Sequence, residues 1–538
     1  MNIFFYIRQN NWLLSLLSGV LLFSSFNHYW FALIFIGFVP LLILSNNFFH
    51  QKIRRWKYIL LVFLSFLIWN GLTTWWISLA SIGGALMAII ANSILMCIVF
   101  TLPFFFQKKS NMPFNPWWLI PFWISFEYLH FHWDLMWPWL TIGNVFAFAP
   151  NIVQWYELTG TSGGSLWALT INIIIADSII SSKNIFYLYK KIASLLIIPV
   201  ILSISLIIYR SKAIKSSASS TLNVWIIQPN IDPYNEKFYI QPLIQINEMF
   251  KQIKNYLNDS VDVILLPETF ITENIYEGTS KEMLQHESLK FLNDSILMKY
   301  PHIAIITGAN TFKFYGGKEK IPPTARQSPE GMYYDIFNTA LCIYKDSVQI
   351  FHKSKLVPGV EKMPYPTVFK PLEKLAIDLG GTTGSLGRQE NPSLFRLKNK
   401  IDVATVICYE SVFSDFVSEF FKIGAQTLFI ITNDGWWGNT PGYYQHLLFG
   451  RLRAIENRTY IARCANTGIS ALINPLGQIE KQTPFWTKDV LPVKIYLNQK
   501  KTIYSITGDI LSPLCILILV ILVAKVMYAI YRPTQQKN

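Results

Sequence analysis

The chain has 538 residues, of which 52% are hydrophobic, 15% are aromatic and only 14% are charged. Soluble globular proteins carry about 25% charged residues, so a single soluble globule is excluded. The net charge is +14, but the sequence contains no recognisable nucleic-acid-binding module. We expect basic cytoplasmic loops beside anionic lipid headgroups to account for much of this charge, and no nucleic acid partner is predicted.

Apolar segments dominate residues 1–210. A helix needs about 20 apolar residues to cross a bilayer, and eight segments are predicted to form membrane helices: 11–26, 29–45, 57–79, 84–106, 116–131, 163–180, 190–209 and 510–531. The first two are short and are expected to form a tilted or re-entrant pair. The first lacks a small-residue cleavage site, so we interpret it as an uncleaved anchor. We therefore predict an N-terminal transmembrane domain over 1–210 and a C-terminal transmembrane helix over 510–531.

The basic residues of the short loops predict the orientation in the membrane. The loops after the second, fourth and sixth segments are basic, and they contain Lys52, Arg54, Arg55, Lys57, Lys108, Lys109, Lys183, Lys190 and Lys191. The loops near Asn27, near Ser81 and over 132–162 have no Lys or Arg. This asymmetry places both termini in the cytoplasm and residues 211–509 outside. Three basic residues just beyond the seventh segment favour the opposite orientation, but long translocated domains are largely exempt from the rule.

The loop over 132–162 is rich in aromatic residues, which include Trp133, Trp137, Trp139, Phe146 and Phe148. Such clusters are common at the level of the lipid headgroups. A wall of a groove through which lipid enters is the alternative, and the sequence leaves both interpretations open.

The polar middle of the chain predicts a separate α/β domain over 222–505, joined to the membrane part by a serine-rich linker over 211–221. Strands are predicted at 223–228, 261–266, 303–308, 336–344, 348–352, 401–407, 427–432, 460–464, 468–473 and 490–496. Helices are predicted near 236–257, 281–299, 411–422 and 441–458. Neighbouring strands with helices outside indicate two mixed sheets packed face to face.

Three predicted strands end on residues with complementary chemistry: Glu268 in LLPETF, Lys353 in HKSKLVP and Cys408 in VICYES. A helix is predicted to follow Cys408, and its positive N-terminal end should favour the thiolate. A lone cysteine is usually a small core residue. Here, however, the carboxylate can take the thiol proton, the ammonium can stabilise an oxyanion, and the sulfur can form a thioester.

These motifs resemble the Glu-Lys-Cys triad of the nitrilase (carbon–nitrogen hydrolase) superfamily, and residues 432–477 are similar to its C-terminal half. Together with the membrane segments they resemble the apolipoprotein N-acyltransferases of the bacterial inner membrane. The resemblance implies a periplasmic αββα sandwich. It also implies transfer of an acyl chain from a phospholipid, through a thioester on Cys408, to the N-terminal α-amine of a diacylglyceryl lipoprotein. No cofactor or metal is indicated, and we expect a monomer.

The resemblance implies further site residues. Glu361 is expected to orient Lys353 or the incoming amine. The backbone N–H of Tyr409 is placed to donate to the oxyanion, with Glu410 beside it. Asn338 either lies near the site or caps a strand, and these two interpretations are equally open.

The substrate groove is expected to include Phe238, Trp436 and Trp437. Phe238 stands where the family usually has a tryptophan, so an indole N–H bond would be lost there. The lysine loop reads PGVE rather than the commoner PFGE, and the glycine-rich run over 380–387 is expected to form a lid segment.

Two rival functions come from other classes. A membrane-tethered amidase or nitrilase would hydrolyse a small amide, but one helix is enough to tether a hydrolase and this chain has about eight apolar segments. A transporter-like protein with an inactive sensor domain would not need an intact Glu-Lys-Cys set.

Overall fold

The computed structural model describes residues 9–181, 185–216, 220–317, 319–365, 385–497 and 501–531. The chain divides into two compact units. The helical unit comprises Met1–Ser78, Ala85–Leu206 and Thr507–Asn538, and the α/β unit comprises Leu79–Gly84 and Ile207–Ile506.

The longer helices before the sheets are α1 Asn11–Ser25, α2 Val39–Phe49, α3 Arg55–Thr74, α4 Ile82–Lys109, α5 Leu119–His132, α6 Tyr156–Ile180 and α7 Ile185–Ser216, and Leu511–Tyr531 forms the C-terminal helix. Short helical turns connect them at Phe31–Phe35, Ile77–Ala80, Pro116–Trp118, Pro138–Leu140, Ile142–Phe148 and Pro150–Ile152.

Six helical segments of the described residues are long and apolar enough to cross a membrane. Phe31–Phe49 comprises the turn at Phe31–Phe35 together with α2, and Leu188–Ser211 lies within α7. The other four are Arg55–Thr74, Ile82–Lys109, Tyr156–Ile180 and Leu511–Tyr531. The count of eight is therefore not confirmed. The two other predicted segments form α1 and α5, which have 15 and 14 residues. At 1.5 Å per residue they reach only about 21–22 Å, short of a hydrocarbon core of about 30 Å.

The predicted aromatic cluster over 132–162 contributes to the interior of the helical unit. Trp139 and Phe146 are buried, and they pack on Trp76 and Trp167 with ring centroids 5.0 and 5.2 Å apart. These two side chains therefore belong neither to an exposed belt at the lipid headgroups nor to the wall of a groove, because they are buried against other aromatic rings of the same unit.

The strands of the α/β unit are β1 Ser220–Gln228, β2 Val263–Leu265, β3 Ile271–Tyr276, β4 Ala304–Tyr315, β5 Arg326–Gln327, β6 Tyr333–Ile343, β7 Val348–His352, β8 Phe395–Arg396, β9 Asp402–Ile407, β10 Thr427–Thr432, β11 Ile461–Ala465, β12 Ala471–Ile473, β13 Ile479–Gln482 and β14 Asp489–Leu497. The eight-stranded sheet has the order β14-β1-β2-β4-β6-β5, with β3 paired to β4 and β7 paired to β6. The six-stranded sheet has the order β13-β12-β11-β10-β9-β8.

The two sheets face each other, with helices on their outer sides. The Cys464 thiol of β11 donates to the carbonyls of Ile227 and Leu265 in the other sheet, at 3.2 and 3.4 Å. Helix α8, Pro242–Ile253, packs its buried residues into the core of the eight-stranded sheet. Helix α10, Pro441–Asn457, brings Gly450 against the six-stranded sheet, and α9 spans Ser414–Lys422. The predicted αββα sandwich is confirmed.

All ten predicted strands are present, and the described residues contain four further strands that the sequence did not indicate, β3, β5, β8 and β13. The predicted helix over 236–257 begins only at Pro242, because the Asp232 carbonyl accepts the backbone N–H groups of Glu236 and Lys237 and turns the preceding chain back. The predicted helix over 281–299 is divided into Ser280–Met283, Glu287–Leu292 and a π-turn over Asn293–Leu297. Regular structure enters the predicted linker from both sides, since α7 ends at Ser216 and β1 begins at Ser220. A last short helix covers Ile503–Thr507.

Candidate active site

Three strand ends meet inside the α/β unit. Glu268 comes shortly after β2 and Lys353 directly after β7, both in the eight-stranded sheet, whereas Cys408 follows β9 of the six-stranded sheet. The Lys353 ammonium lies 3.1 Å from a Glu268 carboxylate oxygen. The Cys408 thiol interacts electrostatically with both charges. The structure therefore brings together all three groups that the sequence singled out.

A close backbone contact fixes the turn that carries Glu268. The next residue, Thr269, has a φ of +47°. The N–H of Gly308 in β4 donates to the carbonyl of Pro267 at 3.0 Å. A Cβ on Gly308 would lie 2.4 Å from the nitrogen of Thr269 and 2.6 Å from the Cα of Glu268. Only glycine lets the two chains approach this closely.

Lys353 is shared between two carboxylates. Its side chain is buried, and its ammonium donates to Glu361 at 2.8 Å as well as to Glu268. The Asn338 amide donates to the same two carboxylates, at 2.9 Å to Glu268 and 3.0 Å to Glu361. The backbone N–H of Val357 holds the second oxygen of Glu361 at 2.9 Å. Asn338 is thus placed among the charged groups rather than as a strand cap.

The charges of this cluster stabilise one another. Burial acts to raise the pKa of Glu268, but the Lys353 ammonium and the Asn338 hydrogen bond outweigh it, and the pKa lies below its ordinary value. Burial acts to lower the pKa of Lys353, but the charges of Glu268 and Glu361 outweigh it and raise the pKa well above its ordinary value. At neutral pH the site therefore contains an ionised carboxylate next to a charged ammonium.

The prediction that the local backbone favours a Cys408 thiolate is wrong. Burial raises the pKa of the thiol, the charge of Glu268 raises it further, and the opposing charge of Lys353 does not compensate. A 3₁₀ turn over Cys408–Val412 follows the cysteine, and the α-helix starts only at Ser414, so the helix end is too distant to dominate. The thiol is protonated at rest and needs a base, and Glu268 is the ionised carboxylate that interacts with it.

Glu410 connects the cysteine turn to the lysine loop. Its buried carboxylate accepts the backbone N–H of Ile407 at 2.8 Å and of Ser354 at 2.6 Å, and the N–H of the residue after Ser354 at 3.2 Å. Burial raises the pKa of Glu410 to about 7 although these hydrogen bonds lower it. The ring of the predicted neighbour Tyr409 is buried edge-on against Phe413, 5.0 Å away.

A buried network behind Cys408 was missed by the sequence reasoning. The Nε2 of His446 lies 3.1 Å from the carbonyl oxygen of Cys408 and 2.9 Å from the Ser411 hydroxyl. Its Nδ1 lies 2.9 Å from Asp434, which also pairs with the Arg463 guanidinium. This network supports a cysteine whose φ is +51°, in the left-handed region that non-glycine residues rarely adopt. The motifs NDG and YQH were visible in the sequence, but no regular spacing relates them.

Cys408, Asp434 and His446 place their donor atoms within 4.8 Å of one another, which could accommodate a metal ion. The donors do not fit that use. Both oxygens of Asp434 and both ring nitrogens of His446 already have protein partners, and one of those partners is the Arg463 cation.

Lys237 is a second buried ammonium that the sequence reasoning missed. Its side chain is 3% exposed, and its Nζ lies 3.2 Å from the backbone carbonyl of Glu268. Burial lowers its pKa to about 8, although the charges of Glu268 and Cys408 raise it. The sequence around Lys237 is a polar loop, and nothing in such a loop indicates that a lysine side chain is buried.

The three predicted groove residues are partly exposed. The Phe238 ring, 39% exposed, stacks on Trp436 with centroids 6.4 Å apart and an interplanar angle of 19°. The Tyr234 hydroxyl donates to the carbonyl of Trp436 at 2.8 Å. Trp437 packs edge-on against His446 at 5.8 Å. Most of the predicted lid segment, 380–384, lies outside the described residues.

Two family models match the chain. Residues 226–503 match carbon-nitrogen hydrolase, and residues 18–174 match the apolipoprotein N-acyltransferase N-terminal domain. An apolipoprotein N-acyltransferase of Chlorobaculum tepidum is 28% identical over 522 residues, which cover 94% of each chain. One of Rickettsia typhi is 27% identical over 414 residues, 74% of each chain.

Among solved structures, Nit3 of Saccharomyces cerevisiae, a member of branch 10 of the nitrilase superfamily, matches 55% of this chain and 95% of its own with a TM-score of 0.36 and 15% identity. The apolar helices and the curated relatives together make the chain a multi-pass bacterial membrane protein. The chain belongs to the carbon–nitrogen hydrolase family and, within it, to the apolipoprotein N-acyltransferases.

Proposed function

We propose that this chain moves an acyl chain from a membrane phospholipid to the α-amine of the N-terminal diacylglyceryl-cysteine of a lipoprotein, with Cys408 as the carrier. The observation that supports this most directly is the buried Glu268–Lys353 pair at 3.1 Å, in electrostatic contact with the Cys408 thiol. The described residues of the same chain include six helices of membrane-spanning length. A lipid donor accounts for both features, whereas a small soluble amide would account only for the first.

In the first half-reaction, Glu268 takes the proton of the Cys408 thiol as the sulfur attacks the acyl ester carbonyl. Lys353 and the backbone N–H of Tyr409 stabilise the oxyanion. The C–O bond then breaks, Glu268 returns the proton to the leaving oxygen, and lysophospholipid departs from the thioester.

In the second half-reaction, the α-amine of the acceptor attacks the thioester carbonyl. Glu268 takes a proton from the amine, the C–S bond breaks, and the sulfur recovers a proton as the amide forms. Glu361 and Asn338 hold Lys353 and Glu268 in place during both halves, because each contacts the reacting pair directly.

The proposed setting is the bacterial inner membrane, with residues 222–505 on the periplasmic side and the protein acting as a monomer. The partly exposed rings of Phe238, Trp436 and Trp437 would line the path of the acyl chains, since apolar surface at the mouth of a site favours lipid over water.

The test is incubation of the purified full chain with acyl-labelled phospholipid and no acceptor, followed by intact-mass measurement. We expect one acyl chain on the protein, removable by hydroxylamine, and none on Cys408→Ala. Cys342→Ala is the matched control, because Cys342 is a buried thiol of β6 outside the site. A diacylglyceryl peptide with a free N-terminus should discharge the adduct, and an N-acetylated peptide should not.

Label on another residue, or loss of the adduct to water faster than acceptor captures it, would contradict the proposal. The second outcome would favour a membrane-tethered hydrolase.

A further inference from the structure

Lys237 occupies a position that neither half-reaction above uses. It lies in the turns between β1 and α8, and those turns direct its side chain inward until the ammonium reaches the backbone carbonyl of Glu268 at 3.2 Å. Within the described part of the chain, this is the one hydrogen bond that the Lys237 ammonium makes. A buried ammonium has three N–H donors and is costly to leave under-bonded, so its presence here needs an explanation.

The charges of the site explain why a second buried ammonium is present. Glu268 and Glu361 carry two negative charges, and both contact the single ammonium of Lys353. Lys237 adds a second positive charge. While the thiol is protonated, the two carboxylates and the two ammonium groups together have no net charge. Its electrostatic partners are Glu268 and Cys408, the two groups between which the proton moves.

We propose, on the basis of the proposed function, that Lys237 is a positioning residue of the acyl-transfer reaction: it fixes Glu268 through its backbone carbonyl, and its charge stabilises the negative charge that passes from Glu268 to the sulfur. The proton goes from Cys408 to the Glu268 carboxylate, and the electron pair of the S–H bond stays on sulfur. Lys237 neither gives nor takes a proton in this step. The charge of Lys353 also acts on the thiol, but it is shared with two carboxylates and does not compensate for burial and the charge of Glu268.

The groups around Lys237 determine its titration. Glu268 and Cys408 face it from the ends of β2 and β9, Lys353 and Glu361 lie beyond Glu268, and Asp232 and Glu236 belong to its own loop. Because burial lowers its pKa to about 8, the ammonium carries its charge below that pH and loses it above. The formation of acyl-enzyme should therefore decline above about pH 8.

The first experiment measures the rate at which uncharged iodoacetamide alkylates Cys408 in the full-length protein, from pH 6 to pH 10. We expect Lys237→Met to slow alkylation about tenfold or more below about pH 8, where Lys237 is charged, since removing a nearby opposite charge shifts a pKa by one unit or more. The difference from the wild type should shrink above that pH. Lys237→Arg should restore most of the rate. Lys251→Met is the control, because Lys251 pairs with Glu248 on the exposed side of α8.

The second experiment follows acyl-enzyme formation from phospholipid against pH. The wild type should lose rate above about pH 8, and Lys237→Arg should keep its rate to higher pH because a guanidinium stays charged. If Lys237→Met does not fold, the inference is still tested by comparing the pH dependence of acyl-enzyme formation in the wild type and in Lys237→Arg.

An unchanged alkylation profile in a folded Lys237→Met protein, or the same alkaline decline in wild type and Lys237→Arg, would overturn the inference. Alkylation needs no lipid, so a failure of the proposed function, seen as no acyl adduct in the wild type, is distinguishable from a failure of this inference.

Discussion

Two carboxylates contact one ammonium in this site, and their surroundings give them different tasks. Glu268 interacts electrostatically with the Cys408 thiol, whereas the second oxygen of Glu361 is held by the backbone N–H of Val357. A carboxylate that must exchange protons has to face the reacting sulfur, and one that holds Lys353 has to be immobile. The geometry therefore fits Glu268 as the base and Glu361 as a positioning residue.

We expect Glu361→Gln to slow acyl-enzyme formation about 10²-fold while leaving the fold intact, because a neutral amide cannot hold the Lys353 ammonium as a carboxylate does. Single-turnover rates and thermal unfolding of the same preparations measure the two effects separately. Glu319→Gln is the control, since Glu319 pairs with Lys313 on the surface. A near wild-type rate for Glu361→Gln would return this residue to the role of an ordinary loop carboxylate.

At the scale of the elements, the sequence predicted the three strand ends because each strand is a short β-branched, apolar run that stops at a polar residue. Their meeting point followed only from the resemblance to a family, since single-sequence patterns do not specify which strands are adjacent. Lys237, Asp434 and His446 were missed because their burial depends on contacts far apart in the chain. The expected thiolate was wrong for the same reason, because burial and the charge of Glu268 raise the pKa of the thiol and both depend on tertiary contacts.

The turn after β2 depends on the approach of β4. We expect Gly308→Ala to displace Glu268 and to lower the rate of acyl-enzyme formation at least about tenfold, since a Cβ there would lie 2.4 Å from a backbone nitrogen. Gly316→Ala is a matched control, because a Cβ at Gly316 meets nothing within 4 Å. The measurements are single-turnover rate and melting temperature. Equal rates for the two variants would show that the close approach does not position the base.

At the scale of the whole molecule, the hydropathy of the sequence located every long apolar helix, but it could not decide the number that spans the membrane. Residues 11–26 and 116–131 are apolar enough to resemble spans, yet α1 and α5 are short. Helix length depends on where the chain turns, and the turns here are set by tertiary contacts.

The orientation in the membrane is testable with reporter fusions. A reporter after residue 182 should be cytoplasmic and one after residue 330 should be external, because the basic residues concentrate in alternate short loops. Alkaline phosphatase and a fluorescent protein give opposite signals in the two compartments, so each serves as the control for the other. Finding both positions in the same compartment would contradict the predicted topology.

The division of the reacting groups between two sheets has a consequence for the biogenesis of the enzyme. Glu268 and Lys353 belong to one sheet and Cys408 to the other. A nascent chain in which only one sheet has formed holds either the proposed base without the proposed nucleophile or the proposed nucleophile without the proposed base. Thioester chemistry thus becomes available only after the sheets dock, and a half-assembled chain cannot acylate itself during insertion into a lipid-rich environment.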